Sequence, residues 1–219
     1  MTFVKKYGNI LEILYFSYIF KFDIYNTKNN GKQDRKGVFV CMFIYRNHWL
    51  TEISLADIKK HTVEIPQDVW YIDRHAFQKP GIKQIVIPKN VRKLNNFAFR
   101  ACKDLEEIVI ENEECKLGAS VFSACTKLRQ IELPKNLKVI PTCTFDFCES
   151  LERIKLPSTV ETIGEYAFCA CKNLKWITIP DSVPYIREQY FRYCENLTNI
   201  HFHGKVYSYN DLLAYRKIS

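Results

Sequence analysis

Hydrophobic positions recur along this chain with a period of 23 residues, and that period predicts the architecture before any composition is counted. Phenylalanines stand at Phe99, Phe122, Phe145, Phe168 and Phe191. Cysteines follow at Cys102, Cys125, Cys148, Cys171 and Cys194, and leucines at Leu105, Leu128, Leu151, Leu174 and Leu197. Isoleucines complete the set at Ile108, Ile131, Ile154, Ile177 and Ile200. An earlier copy carries Phe77, Ile82 and Ile85 and is one residue short where its cysteine would fall. Six copies therefore span about residues 63–203.

Within each copy the polar and apolar positions predict the elements. The Leu-x-x-Ile-x-Ile/Leu stretch ends in strict alternation, as a strand with one buried face requires. Prolines close several of these strands, at Pro66, Pro88, Pro134, Pro157 and Pro180, because proline cannot extend a ladder. Glu111 and His203 stand at the equivalent places. The next stretch, such as Thr159 to Gly164, returns the chain with Val160 and Ile163 turned inward. Glu165 to Cys171 has the length of one or two helical turns, with Phe168 facing the core. No single copy can bury its apolar face alone, so the copies must stack, with their strands forming a parallel sheet along one side. The predicted class is an α/β repeat solenoid.

The full pattern, Leu-x-x-Ile-x-Ile-Pro-x-x-Val-x-x-Ile-Gly-x-x-Ala-Phe-x-x-Cys, is matched almost throughout by residues 151–180. It resembles the BspA-like (Treponema pallidum-type) class of leucine-rich repeats. Gly164 is replaced by Asn95 in the second copy and by Pro141 in the fourth, and the third departs most, with Cys115-Lys116-Leu117-Gly118. The resemblance implies a curved leucine-rich-repeat scaffold with its parallel β-sheet on the concave face. Short helical turns and irregular segments would lie elsewhere, with caps at both ends. It also implies protein–protein contact, since surface members of the class in bacteria and protozoa are described as adhesins.

The ends divide the chain into an N-terminal capping region, 1–62, the six copies, 63–203, and a C-terminal cap, 204–219. Residues 10–25 and 37–46 read as two strands of a β-hairpin around the polar stretch 26–36. Thr51 or Ser54 can start a short helix running through Lys60. Ser208 can cap a helix from Tyr209 to Lys217, with Leu212, Leu213 and Tyr215 covering the last copy. An independent N-terminal domain is the alternative, though about 60 residues is small for one.

Charge changes this picture little. The chain carries 32 Lys/Arg and 24 Asp/Glu, a net of +8. Its densest basic cluster, Lys28, Lys32, Arg35 and Lys36, sits in an Asn/Gly-rich stretch that reads as a solvated loop. A nucleic-acid footprint would be a stripe along one face, so nucleic acid is disfavoured as a partner. Nine cysteines cannot all pair within one chain, which points to free thiols and a reducing, cytoplasmic setting. Glu12 interrupts the apolar run of residues 10–20 and no small-residue cleavage site follows, although a secreted or cell-surface location is the alternative. No run of 18 apolar residues exists, so no membrane-spanning helix is expected.

Candidate chemistry is sparse. The five repeat cysteines would lie in a line, one per copy and about 5 Å apart. A metal site needs thiolates converging on one ion, so these read as small buried hydrophobes. His48, His61, His75, His201 and His203 form no metalloprotease pattern, and neither a phosphate-binding glycine loop nor a nucleophile elbow is present. No cofactor and no enzymatic activity are expected.

The outward strand positions carry the remaining information. In order they are Gln84/Val86, Glu107/Val109, Gln130/Glu132, Arg153/Lys155, Trp176/Thr178 and Asn199/His201, a run from acidic and neutral to basic and aromatic. Arg153, Lys155, Trp176, Thr178 and His201 are the predicted centre of a protein-binding surface, because Trp and Arg dominate binding hot spots. The predicted function is a non-catalytic protein-binding scaffold. A structural or assembly protein associating through its apolar N-terminal region is the alternative.

Overall fold

A computed structural model of the chain describes residues 41–55, 62–78, 81–215 and 217–218. A hairpin comes first: β1, Cys41–Arg46, pairs antiparallel with β2, Trp49–Leu55. The stacked coils then alternate a front strand with a two-residue return strand. The front strands are β3 (Thr62–Glu64), β5 (Gln84–Ile87), β7 (Glu107–Ile110), β9 (Gln130–Glu132), β11 (Arg153–Lys155), β13 (Trp176–Thr178) and β15 (Asn199–Phe202). The return strands are β4 (Tyr71–Ile72), β6 (Lys93–Leu94), β8 (Lys116–Leu117), β10 (Val139–Ile140), β12 (Thr162–Ile163) and β14 (Ile186–Arg187). Front strands pair in parallel, in registers such as Ile85↔Ile108↔Ile131 and Ile154↔Ile177↔Ile200. The 23-residue period is thus converted directly into sheet register.

The core is a set of columns running along the stack. Phe77, Phe99, Phe122, Phe145, Phe168 and Phe191 are fully buried, and their successive ring centroids lie between 4.4 Å (Phe77–Phe99) and 5.7 Å (Phe122–Phe145) apart. The leucine column and most of the isoleucines are equally dry. The repeat cysteines do more than fill space. Each Sγ donates to a phenylalanine carbonyl of the preceding coil: Cys125 to Phe99 at 3.1 Å, Cys148 to Phe122 at 3.2 Å and Cys171 to Phe145 at 3.1 Å.

The phenylalanine-bearing segments before Phe191 are not the helical turns the sequence suggested. Residues two before and two after the phenylalanine adopt the left-handed conformation, as at Phe97 (φ 64°) and Ala101 (φ 60°), or Tyr166 (φ 58°) and Ala170 (φ 54°). A helix cannot include such residues at this spacing. Alternate amides instead donate to the next coil: Phe97 to Ala119, Phe99 to Val121 and Ala101 to Ser123. Stacked coils satisfy the backbone between neighbours, so no helix is needed. Among the described residues, helix occurs only at the C-terminal end, as a 3-10 turn Glu188–Phe191 and α1, Tyr209–Tyr215.

The front sheet is interrupted once, between β9 and β11, and the return ladder twice, between β8 and β10 and again between β12 and β14; the first return gap and the front gap lie together. Because chain order is β8, β9, β10, β11, these two gaps form one seam that winds through a full coil. Its return side has a clear cause. The amides of Gly118 and Gly164 donate to Leu94 and Ile140 at 2.8 Å, and Pro141, at the equivalent place, has no N–H to give. The seam is bridged by the phenylalanine segments, where Ser120, Phe122 and Ala124 donate to Thr142, Thr144 and Asp146.

The ends differ from expectation in detail. β1 pairs with β2, a hairpin the sequence did not suggest; the first strand of the hairpin expected between 10–25 and 37–46 lies outside the described residues. The turn Asn47-His48, with φ of 45° and 69°, suits a two-residue hairpin connection. Residues 51–55, expected to begin a helix, are therefore strand; the 10–25 segment, the basic cluster at 28–36 and the rest of that helix lie outside the described residues. At the other end Ser208 and Asp211 form a reciprocal capping pair: the Ser208 N–H donates to Asp211 Oδ2 at 2.7 Å, and the Asp211 N–H donates to Ser208 Oγ at 3.3 Å. α1 stops at Tyr215 rather than Lys217, because β17, Lys217–Ile218, pairs antiparallel with β14. Leu212 is buried by the helix, whereas Leu213 is about half exposed.

Candidate binding face

The front sheet is built so that Ile154, Ile177 and Ile200 point inward, which forces their neighbours outward. Register then sets Arg153 beside Trp176 beside Asn199, and Lys155 beside Thr178 beside His201. All five residues singled out by sequence share one continuous surface on β11, β13 and β15. Arg153 and Lys155 are exposed, and Trp176, Thr178 and His201 are half-buried. Trp176 is less open than its outward position suggests, because the His201 ring leans against it with centroids 5.4 Å apart and planes at 53°.

Charge distribution gives this patch its character. Among the described residues, six lysines make ion pairs with carboxylates on a neighbouring coil, among them Lys175–Glu152 at 3.6 Å on the patch's flank. Glu132 and Lys155 occupy successive coils in the same column, yet they make no such pair, because the seam separates β9 from β11. At the same place Ile131 and Leu133 are only partly buried, unlike the rest of their columns. The patch therefore offers two cations with no carboxylate partner among the described residues, an aromatic pair, and an apolar fringe.

One component was missed by sequence reasoning. β16, Lys205–Tyr207, extends the front sheet antiparallel to β15, placing Val206 opposite His201. Val206 is 55 % exposed and adds an apolar residue to the patch. The dipeptide His203-Gly204, with φ of 48° and 71°, makes the tight turn between the two strands. A Gly after a short apolar strand was the available signal.

Burial makes several of the thiols poor nucleophiles. Cys115, Cys125, Cys143, Cys148, Cys169, Cys171 and Cys194 are free thiols. Burial pushes the Cys115 thiol up to about 12, and burial and then the Asp146 carboxylate do the same to Cys169. Burial likewise raises Cys148 and Cys171 far above the ordinary thiol range. Timed alkylation of the native protein, read by mass spectrometry, is expected to label half-buried Cys143 well before Cys102, Cys125, Cys148, Cys171 and Cys194. Equal rates at all six positions would contradict the buried column. No group of three or more His, Cys, Asp or Glu side chains that could hold a metal ion occurs among the described residues. No described helix is long and apolar enough to cross a membrane.

Parallel strands, a 23-residue coil and columns of Leu, Ile, Phe and Cys define a leucine-rich-repeat solenoid. Comparison with known families sharpens this: the BspA type leucine rich repeat region matches in six copies, over residues 53–175 and 115–215. The chain belongs to that family. A leucine-rich repeat protein of Bacteroides ovatus is 36 % identical over 63 % of this chain and 35 % of its own, with a TM-score of 0.58. A leucine rich cell surface protein of Faecalibacterium prausnitzii is 29 % identical over 62 % of this chain and 35 % of its own, with a TM-score of 0.57. The T. pallidum leucine rich repeat protein is 28 % identical over 63 % of this chain and 66 % of its own, with a TM-score of 0.54. The chain thus spans about a third of the length of the first two. No curated protein matches it.

Proposed function

We propose that the chain is a non-catalytic scaffold that binds a protein through its front sheet, with Arg153, Lys155, Trp176, Thr178 and His201 at the centre of the contact. The observation that carries this reading is their convergence: register places an aromatic pair beside two cations with no carboxylate partner among the described residues. Such a composition is characteristic of interface hot spots, where Trp and Arg dominate. Membership of a repeat family built around an extended sheet supports the choice of face.

The test is capture by the immobilised full chain, with the bound protein identified and its affinity then measured against variants. Trp176→Ala is expected to cost about 2 kcal/mol or more of binding free energy, the usual magnitude for a hot-spot aromatic. Arg153→Glu with Lys155→Glu should weaken the complex and reduce its salt dependence. Unchanged affinity in both folded variants would move the site off this sheet.

Location follows a separate line. Free, buried thiols support a reducing, cytoplasmic setting. The name of the F. prausnitzii relative supports the cell surface instead. Protease treatment of intact cells separates the two, since only a surface-displayed chain is cut.

A further inference from the structure

The return face carries a second surface, distinct from the front sheet and built from different residues. Its outward column runs Trp49, Tyr71, Lys93, Lys116 across β2, β4, β6 and β8, in direct register. A neighbouring column holds His48, Trp70 and Arg92. The Trp49 and Tyr71 rings stack with centroids 4.7 Å apart, and those of His48 and Trp70 at 3.8 Å. The Arg92 guanidinium lies over Trp70 at 4.3 Å from its centroid. Aromatic ridges thus run into a cluster of three exposed cations.

Those cations are not neutralised in the way lysines elsewhere on the solenoid are. Among the described residues, six lysines pair with carboxylates on adjacent coils. Arg92, Lys93 and Lys116 pair with none among the described residues, and the columns they occupy on β4, β6 and β8 contain no acidic residue. Concentrated positive charge on one rigid sheet attracts a ligand whose negative charges are equally regular.

We propose that this face binds a linear anionic polysaccharide. Successive strands lie about 4.8 Å apart, so Trp49 to Lys116 spans about 14 Å in equal steps. That step is close to the rise of one pyranose unit in an extended glycan, so sulfates or carboxylates on successive sugars can meet Lys93 and Lys116 in turn. Trp49, 37 % exposed, and the Tyr71 hydroxyl give the sugar rings an apolar edge and a hydrogen-bonding group. Single-stranded nucleic acid fits less well. Its bases need open ring faces, and here the rings are stacked on one another and under Arg92. An acidic peptide would leave the regular spacing and the aromatic ridge without a role.

The experiment uses the full chain and size-defined heparin oligosaccharides, measured by calorimetry across a salt series. The wild type is expected to bind, and R92Q/K93Q/K116Q to lose on the order of tenfold or more in affinity. The slope of log affinity against log salt should fall by roughly one per cation removed. A control, K127Q/K135Q/K172Q, removes the same charge from ion-paired lysines and should bind as the wild type does. Trp49→Ala should weaken binding without altering the salt slope. Absence of wild-type binding, or equal losses in the two triple variants, would overturn the proposal. So would equally tight, equally Lys93-dependent binding of polyglutamate or single-stranded DNA. Because the front-sheet residues are untouched, these outcomes are independent of the test of protein binding.

Discussion

Phe145→Ala is expected to destabilise the chain by about 3–5 kcal/mol and to split its unfolding into two transitions. The magnitude follows from burial: Phe145 is fully enclosed between Phe122 and Phe168, with ring centroids 5.7 Å and 5.3 Å away. The splitting follows from position. A solenoid is stabilised by nearest-neighbour contacts, so its cooperativity is only as strong as its weakest interface. That interface is the seam, where β8 and β10 do not pair and β9 and β11 do not pair. The phenylalanine column crosses it, together with the Cys148 thiol on the Phe122 carbonyl and the backbone bonds of the phenylalanine segments. Phe168→Ala is the matched comparison. It removes the same ring from a place where the front ladder β11–β13–β15 is continuous and only the return strands β12 and β14 fail to pair. It should cost a similar amount yet leave one transition. Chemical denaturation followed by circular dichroism, with calorimetry on both variants, makes the comparison. Identical single transitions would mean that the seam carries no energetic weight.

The sequence made the stacking legible because period and burial are the same fact seen twice. A column of phenylalanines at 23-residue intervals has no explanation except coils in register, and the pairing Ile85↔Ile108↔Ile131 follows from it. The front-face residues were legible for the same reason, since alternation alone assigns Arg153 and Trp176 outward. What alternation could not give was the conformation of Glu165 to Cys171. Its length and apolar content suit a helical turn, and only the presence of a neighbouring coil offers its amides better partners. Left-handed Tyr166 and Ala170 leave no trace in residue type, being ordinary L-residues held there by inter-coil hydrogen bonds. The hairpin at the start was missed for a local reason: Thr51 and Ser54 look like helix caps until Asn47-His48 is recognised as the turn. The return-face surface was hidden because two-residue strands are too short to show alternation, so Trp49, Tyr71, Lys93 and Lys116 align only once the coils are stacked.

The column that contains Pro141 yields the second large effect, because it tests how closely the coils approach. Going up the stack its members are Asn95, Gly118, Pro141 and Gly164, so residues with side chains alternate with glycines. A Cβ added at Gly164 would meet the Thr142 amide nitrogen at 2.4 Å and the Pro141 carbonyl carbon at 2.7 Å. At Gly118 the equivalent clash is with the Asn96 nitrogen at 2.4 Å. These obstacles are backbone, which cannot rotate aside, so the whole coil must lift. Gly164→Ala is therefore expected to destabilise by about 1–3 kcal/mol or more, as overpacking of a tight interior does, despite adding a single methyl group. Asn95→Ala supplies the contrast in the same column. A Cβ is already accommodated there, and the buried Asn95 amide nitrogen has no hydrogen-bond partner among the described residues. Removing a buried, unsatisfied donor should be neutral or stabilising by up to about 1 kcal/mol. Denaturant midpoints of the two alanine variants, measured beside the wild type, should move in opposite directions or differ by at least the cost of the clash. A Gly164→Ala protein as stable as the wild type would show that the coils are looser than their hydrogen bonds imply, and that glycine at this place reflects no steric demand.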